Sequence, residues 1–357
     1  MRLLKRRANL STTSRATKFF CFCLICAVLC VTFFVQTPNV EPVLADGRAE
    51  SVMELSTGKI LHSRNADARL PMASTTKIMT ALIIIEDCDL EQVITVPDDA
   101  VGVEGSSIYL KKNERISIRD LLYGLMLRSG NDATTALALY HSGSIQKFAE
   151  QMNERAADMG LTNTHFVNPS GLPDECHYTT AAELCTIACN AMKNDTFKKI
   201  VSTRNYTGEY RSFVNKNKML SRMDGANGIK TGYTMSAGRC LVSSAEREGM
   251  DVVCVVLNCP DMYERSEELL EQAFSTYCLK QIGSNRVFMC DIVPCRLSKD
   301  CTLLVKKDEE ITFKIIKTNN HAHINAGDEI ARLEIYCQND LIFSENLYSI
   351  VNRNNIF

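Results

Sequence analysis

Hydrophobic positions change their spacing along the chain, and each change marks an element. Phe19–Val35 is an uncharged run of 17 residues, FFCFCLICAVLCVTFFV. Ser51–Leu55 and Lys59–His62 are short runs on either side of Ser56-Thr57-Gly58, a pattern that predicts two strands joined by a turn. After Pro71, the stretch Ala73–Glu86 is apolar nearly all round, with Ile78, Met79, Ala81, Leu82, Ile83, Ile84 and Ile85. A helix without a polar face belongs in the middle of a domain. Ser117 and Asp120 form a capping-box-like start to a helix reading LLYGLMLR, which stops at Ser129-Gly130, and Asp132 opens the next, ATTALALY. Ser144 caps IQKFAEQMNERAADM, which Gly160 ends, and Thr179–Met192 reads as a further helix.

Beyond it the period shortens. Asp224–Gly228 is turn-rich and leads into a strand at Ile229–Tyr233. Arg239–Ala245 and Asp251–Leu257 are paired strands around Arg247-Glu248-Gly249, and Met262–Gln281 is helical in pattern. Strands, then many helices, then strands and a closing helix predict an α+β fold in which a sheet is covered by helices. From about residue 280 the pattern turns β-rich, with Thr302–Val305, Ile311–Ile316, Glu329–Tyr336 and Leu341–Phe343. The expected organisation is therefore an N-terminal segment over 1–45, a main domain over 46–279 and a small, mostly β C-terminal domain over 280–357.

Charge changes the picture at the N-terminus only. The 357 residues carry 40 Lys+Arg against 42 Asp+Glu. Six of the basic groups (Arg2, Lys5, Arg6, Arg7, Arg15, Lys18) precede Phe19 without an acid among them, leaving 34 against 42, a net −8, for the rest. A basic head before an apolar run is the pattern of a signal peptide, and 17 residues is also just enough for an N-terminal membrane anchor. Val43-Leu44-Ala45 offers a small-residue cleavage site ten residues past the run. Both readings export the body, either secreted or held at the outer face of the cytoplasmic membrane. The C-terminus ends in no amphipathic helix of useful length, so attachment to a membrane is expected through the N-terminal segment. The acidic body argues against a nucleic-acid partner, because phosphate binding needs clustered Lys/Arg.

Cysteine adds little. Of 16, Cys21, Cys23, Cys26 and Cys30 lie in the apolar run, and the other twelve form no CxxC pair. Cys185 and Cys189 stand four apart on a predicted helix, which suits core packing better than bridging. The six histidines include no HExxH, and His321 and His323 alternate as on a solvated strand face. No metal site and no cofactor are expected.

Candidate chemistry comes from three short motifs. Ser-x-x-Lys occurs at Ser56/Lys59, Ser74/Lys77 and Ser144/Lys147; Ser-x-Asn at Ser129/Asn131 and Ser344/Asn346, and also at Ser63/Asn65, ahead of Ser74; Lys-Thr-Gly once, at Lys230-Thr231-Gly232. Each alone has a plain structural reading: Ser74 caps a helix, Ser129 ends one, Lys230 is a surface lysine. The three together, in this order, are the motif set of penicillin-binding and class A β-lactamase enzymes. Order leaves Ser74/Lys77, Ser129/Asn131 and Lys230. Ser74 and Lys77 are three apart at a helix start and so share one face, where helix-terminal N–H groups favour a developing anion. A hydroxyl needs a base to become a nucleophile. Lys77 can be that base only if neutral, and burial together with the charge of Lys230 would lower its pKa. Ser129 can relay a proton to the leaving amine, Asn131 can bond the substrate amide, Thr231 can bind a terminal carboxylate, and Gly232 lets a backbone approach closely.

The sequence resembles the low-molecular-weight penicillin-binding proteins, the serine-type D-alanyl-D-alanine carboxypeptidases of peptidase family S11. The likeness runs from about Ala49 to Leu257 and more loosely beyond. It includes Pro71-Met72-Ala73-Ser74-Thr75-Thr76-Lys77, Leu127-Arg128-Ser129-Gly130-Asn131-Asp132, Phe166-Val167-Asn168-Pro169-Ser170-Gly171-Leu172, His177-Tyr178-Thr179-Thr180-Ala181 and Gly228-Ile229-Lys230-Thr231-Gly232-Tyr233-Thr234. Ser170 stands where many members have histidine. The resemblance implies a β-lactamase/transpeptidase-like domain. It implies a Ser74 acyl-enzyme formed on peptidoglycan stem pentapeptides, an oxyanion hole of the Ser74 and Tyr233 backbone N–H groups, and covalent inhibition by β-lactams. Class A β-lactamases add a deacylating Glu-x-x-Leu-Asn between the second and third motifs; no such string lies between Asn131 and Lys230. A transpeptidase or endopeptidase using the same machinery, and a non-catalytic wall-binding protein on the same fold, are the remaining alternatives.

Overall fold

The computed structural model describes residues 47–318 and 323–354; the expectations for the N-terminal basic head, its apolar run and His321 lie outside them. The fold is α+β. Its main sheet is antiparallel throughout, in the spatial order Ile60–Arg64, Ala49–Glu54, Met250–Leu257, Gly238–Arg247, Ala226–Thr234. N-terminal and C-terminal strands thus meet at its centre, where Ala49 to Glu54 pair with Leu257 to Val252.

Both sheet faces are apolar, which is why the central strands read as near-continuous hydrophobic runs. On Met250–Leu257, Val253, Val255 and Leu257 face the helical body, packing with Ile78, Leu82, Leu184 and Ile187. Val252, Cys254 and Val256 face the other way, onto Leu269, Leu270 and Phe274 of the helix Met262–Thr276. The helices Lys77–Asp87 and Ala181–Met192 lie in the larger core, and this position explains why the first has no polar face.

Local signals account for most boundaries. The buried Glu54 carboxylate accepts from the backbone N–H groups of Ser56 and Thr57 at 2.9 and 2.8 Å, closing the first hairpin. Ser117 accepts from the Asp120 N–H, Ser144 from that of Lys147 and Thr180 from that of Glu183, each capping the helix that follows.

Three expectations need correction. The helix expected from Ala73 begins as a 3-10 turn, Ala73–Thr76, before turning α at Lys77. The strand carrying Lys230 starts at Ala226, inside the stretch read as turn, and takes up the extra residue as a bulge between Ala226 and Gly228. The closing helix stops at Thr276, and Tyr277–Ile282 is a strand paired with Cys301–Lys306. Helix Asp195–Ser202, capped by Asn194, was not foreseen.

The C-terminal region is mostly β. Five antiparallel strands run in the order Phe288–Cys290, Val293–Leu297, Asp340–Ser349, Glu329–Cys337, Ile311–Lys317, around a core that includes Val293, Leu303, Ile330, Leu333 and Leu347. The twelve cysteines of the described residues are all free, and Cys185 and Cys189 are buried in the main core. Among the described residues no helix is long and apolar enough to cross a membrane, and no cluster of three metal-ligating side chains occurs.

Candidate active site

The 3-10 turn Ala73–Thr76 sits against the edge strand Ala226–Thr234. The contact is close at Gly232, where a Cβ would lie 3.1 Å from the Ser74 backbone nitrogen and 3.2 Å from the Met72 carbonyl oxygen. A side chain here would press on both atoms, so glycine favours this close approach of the strand edge to the turn. Ala73 holds a left-handed φ of +47°. Two hydroxyls brace the turn: Thr75 donates to Met72 O at 2.6 Å and Thr76 to Ala73 O at 2.8 Å.

Behind Ser74 lies a buried amine. Lys77 is wholly inaccessible, and its Nζ is 3.1 Å from Ser74 Oγ, 2.7 Å from Asn131 Oδ1 and 2.6 Å from the backbone oxygen of Ser170. All three partners are neutral. Burial, reinforced by the charge of Lys230, holds the Lys77 ammonium well below its ordinary range; Asp132 opposes this and Lys216 adds to it. Lys230 is 2% exposed and donates to its neighbour's carbonyl, Thr231 O, at 2.8 Å. Burial, then Lys216, brings its pKa down to about 7.

The second motif lies at a helix break. Ile118–Arg128 ends on Ser129, which has a left-handed φ of +64°, and Asn131–Ser142 starts two residues later. Asn131 works in two directions: Oδ1 accepts from Lys77, and Nδ2 donates to Glu104 O at 2.6 Å. The sequence pattern marks Asp132 as a helix start and assigns its side chain no task. Its carboxylate instead accepts from the Ile108 and Leu110 N–H groups and from Ser107 Oγ at 2.6 Å, fixing the loop that carries Ser106.

A cavity of about 600 Å³ opens over these groups, lined by Ser74, Ser129, Thr231, Gly232 and Tyr233 with Ser106, Lys216, Arg239, Met262 and Tyr263. Cavities of about 710 and 660 Å³ lie elsewhere, lined by none of the candidate residues. Size does not select the site; the buried amine does. Five of the eight candidate residues line the opening. Lys77 and Asn131 stand behind Ser74, and Lys230 is buried beside Thr231. Ser56, Lys59, Ser63, Asn65, Ser144, Lys147, Ser344 and Asn346, the other motif copies, do not line this cavity. Sequence reasoning missed Lys216 and Arg239, two cations at the opening, because neither belongs to a motif. It also missed Ser170 O, since no side-chain pattern marks a backbone acceptor.

A cleft holding a hydroxyl, a buried amine and cations along one wall is the equipment of a serine hydrolase that acts on an anionic substrate. Comparison with known proteins narrows the class. A family model for D-alanyl-D-alanine carboxypeptidase, peptidase family S11, matches residues 36–261. The chain is 31% identical over 315 residues to the D-alanyl-D-alanine carboxypeptidase DacF of Bacillus subtilis, covering 81% of both. It is 39% identical over 227 residues to the D-alanyl-D-alanine carboxypeptidase of a Streptomyces species, covering 57% of this chain and 78% of that one. The crystal structure of penicillin binding protein 5 from Haemophilus influenzae superposes with a TM-score of 0.72 at 26% identity, over 86% of this chain and 97% of that one. The chain belongs to the D-alanyl-D-alanine carboxypeptidase family of serine peptidases.

Proposed function

We propose that Ser74 attacks the carbonyl between the two terminal D-alanines of a peptidoglycan stem pentapeptide, with Lys77 as its base. One observation carries this reading, the proton accounting at Lys77. A neutral amine has two N–H bonds and one lone pair. Its two shorter partners, Asn131 Oδ1 and Ser170 O, can only accept, so they take both protons. The lone pair is left for the one partner able to donate, the Ser74 hydroxyl at 3.1 Å. The depressed pKa of Lys77 supports the neutral form this requires.

The remaining roles follow from position. The backbone N–H groups of Ser74 and Tyr233 stabilise the tetrahedral oxyanion, each such donor being worth about 3 kcal/mol. Ser129 passes the proton to the leaving D-alanine, and Asn131 orients Lys77 and the substrate amide. Thr231, beside the charge of Lys230 and across the close approach at Gly232, receives the terminal carboxylate. Water then frees the tetrapeptide. β-Lactams acylate Ser74 in the same way, and with a backbone carbonyl rather than a carboxylate facing Lys77 from the Ser170 loop, the adduct is long-lived. The segment 46–279 carries the chemistry and 280–357 is a separate β unit without it. The enzyme works outside the cytoplasm, secreted or held by its N-terminal segment. The test is peptide mapping after incubation with penicillin, expected to place the adduct on the peptide containing Ser74. An adduct on Ser129, or rapid penicillin turnover without an adduct, overturns the reading.

A pH dependence follows. Lys230 attracts a carboxylate only while charged, and its pKa of about 7 means that its share of the attraction fades as pH rises through neutrality. Because kcat/KM reports the free enzyme, it should fall on the alkaline side with a midpoint at about 7. In Lys230→Arg the guanidinium stays charged, so the alkaline limb should move up by more than about one pH unit. Lys230→Met should shift the acid limb upward too, because removing a neighbouring cation raises the pKa of Lys77. A pH–rate profile of D-alanine release checks both shifts.

A further inference from the structure

We infer that His177 is a positioning residue that ties the turn carrying Ser74 to the loop carrying the Lys77 acceptor. The inference rests on the Ser74–Lys77 reading above.

His177 is 3% exposed and belongs to neither element. Its Nε2 is 2.8 Å from Thr76 Oγ1, and its Nδ1 accepts from the Val167 N–H at 3.0 Å. Thr76 has a single hydroxyl proton, which it gives to Ala73 O at 2.8 Å. Thr76 Oγ1 must therefore accept from His177, and the imidazole is fixed as the neutral Nε2–H tautomer with both nitrogens in use. Burial keeps the ring uncharged, with a pKa of about 4; Asp174 opposes this, and His165 and Lys77 add to it.

One chain of bonds thus reaches both members of the reacting pair. On one side it runs through Thr76 to the carbonyl of Ala73, the left-handed residue whose ψ and following peptide set where Ser74 points. Such a conformation persists in a residue other than glycine only when its surroundings over-determine it. On the other side it runs to Val167, three residues before Ser170, whose carbonyl takes one proton of Lys77 at 2.6 Å. The ring itself is held: Phe166 meets it edge-on at 5.8 Å, and Asn153 clamps Phe166 at both its N–H and its C=O. The linkage acts on geometry without touching substrate. A misplaced nucleophile costs rate in the bound complex more than it costs binding.

The experiment compares acylation by a fluorescent penicillin, and kcat and KM for a D-Ala-D-Ala peptide, in the wild type, His177→Phe, His177→Gln, Thr76→Val and the His177→Phe/Thr76→Val pair. His177→Phe keeps an aromatic ring against Phe166 but loses both bonds. It should lower kcat and the acylation rate about 10–100-fold with KM little changed. His177→Gln, whose amide again offers one donor and one acceptor, should recover most of the rate. Thr76→Val cuts the same chain at its middle, so it reports even if the Phe variant does not fold, and its effect and that of His177→Phe should not add. Wild-type rates in both His177→Phe and Thr76→Val, or additive losses in the pair, overturn the positioning role. A wild-type protein that forms no adduct at Ser74 overturns the reading beneath it, which separates the two failures.

Discussion

Lys77→Met should lower the rate of acylation by penicillin about 10³-fold or more while Ser74 stays in place. The size follows from what the amine does. Without a base, the Ser74 hydroxyl enters the reaction with its proton on, and Lys77 Nζ, at 3.1 Å, is the partner placed to take that proton. Methionine is close to lysine in length and shape, so it fills the fully buried channel without a cavity. It leaves Asn131 Oδ1 and Ser170 O unpaired, at about 1–3 kcal/mol each, but it also removes an amine that had been buried at a cost. The melting temperature should therefore move far less than the rate. Lys77→Arg should be as inactive for a different reason: a guanidinium does not give up its proton. Stopped-flow acylation alongside thermal melting separates the two effects, and a Lys77→Met rate within about tenfold of wild type would remove the base from the proposal.

What could be read in advance divides along physical lines. The covering of a sheet by helices was legible because each central element is long and one-sided or wholly apolar, as at Ala73–Glu86 and Asp251–Leu257. Tyr277–Ile282 was misread because helical spacing carries over from the preceding helix, whereas its strand partner, Cys301–Lys306, lies across an intervening stretch. No local window contains that pairing. Ser74, Ser129, Thr231, Gly232 and Tyr233 come to one cavity because their motifs sit where elements stop, start or run along an edge. The groups that escaped notice act through backbone atoms or through loops. Ser170 contributes a carbonyl, Asp132 gathers N–H groups, and His177 bridges two segments about 90 residues apart in sequence. Their side chains say little about these tasks, because it is the fold that supplies the partner. Lys216 is a different case. It is a cation in an irregular stretch, and only its place at the cavity opening sets it apart from other surface lysines.

Gly171→Ala should damage the site severely, although Gly171 brings no side chain to the reaction. A Cβ built at Gly171 would stand 1.9 Å from Ala73 O, 2.4 Å from Ala73 C and 2.8 Å from Thr76 Oγ1. The first two are backbone atoms, and real Cβ atoms do not approach so near. Either the turn holding Ala73 or the loop holding Ser170 must retreat. Each movement breaks one support of the pair: retreat of the turn shifts Ser74, and retreat of the loop takes the Ser170 carbonyl from Lys77. The glycine also has a φ of +82°, which adds a conformational cost of about 1 kcal/mol. Together these predict destabilisation of about 3 kcal/mol or more and a loss of acylation of about 10²-fold in whatever folded protein remains. Gly160 provides the control. It has a φ of +75°, ends the helix Ile145–Asp158 and has open space where a Cβ would go. Gly160→Ala therefore carries the conformational cost without the collision, and should lose about 1 kcal/mol with an unchanged acylation rate. The difference between the two alanines isolates the contact between the Ser170 loop and the nucleophile turn. If both variants lose the same stability and keep the same rate, that contact does not hold the site together.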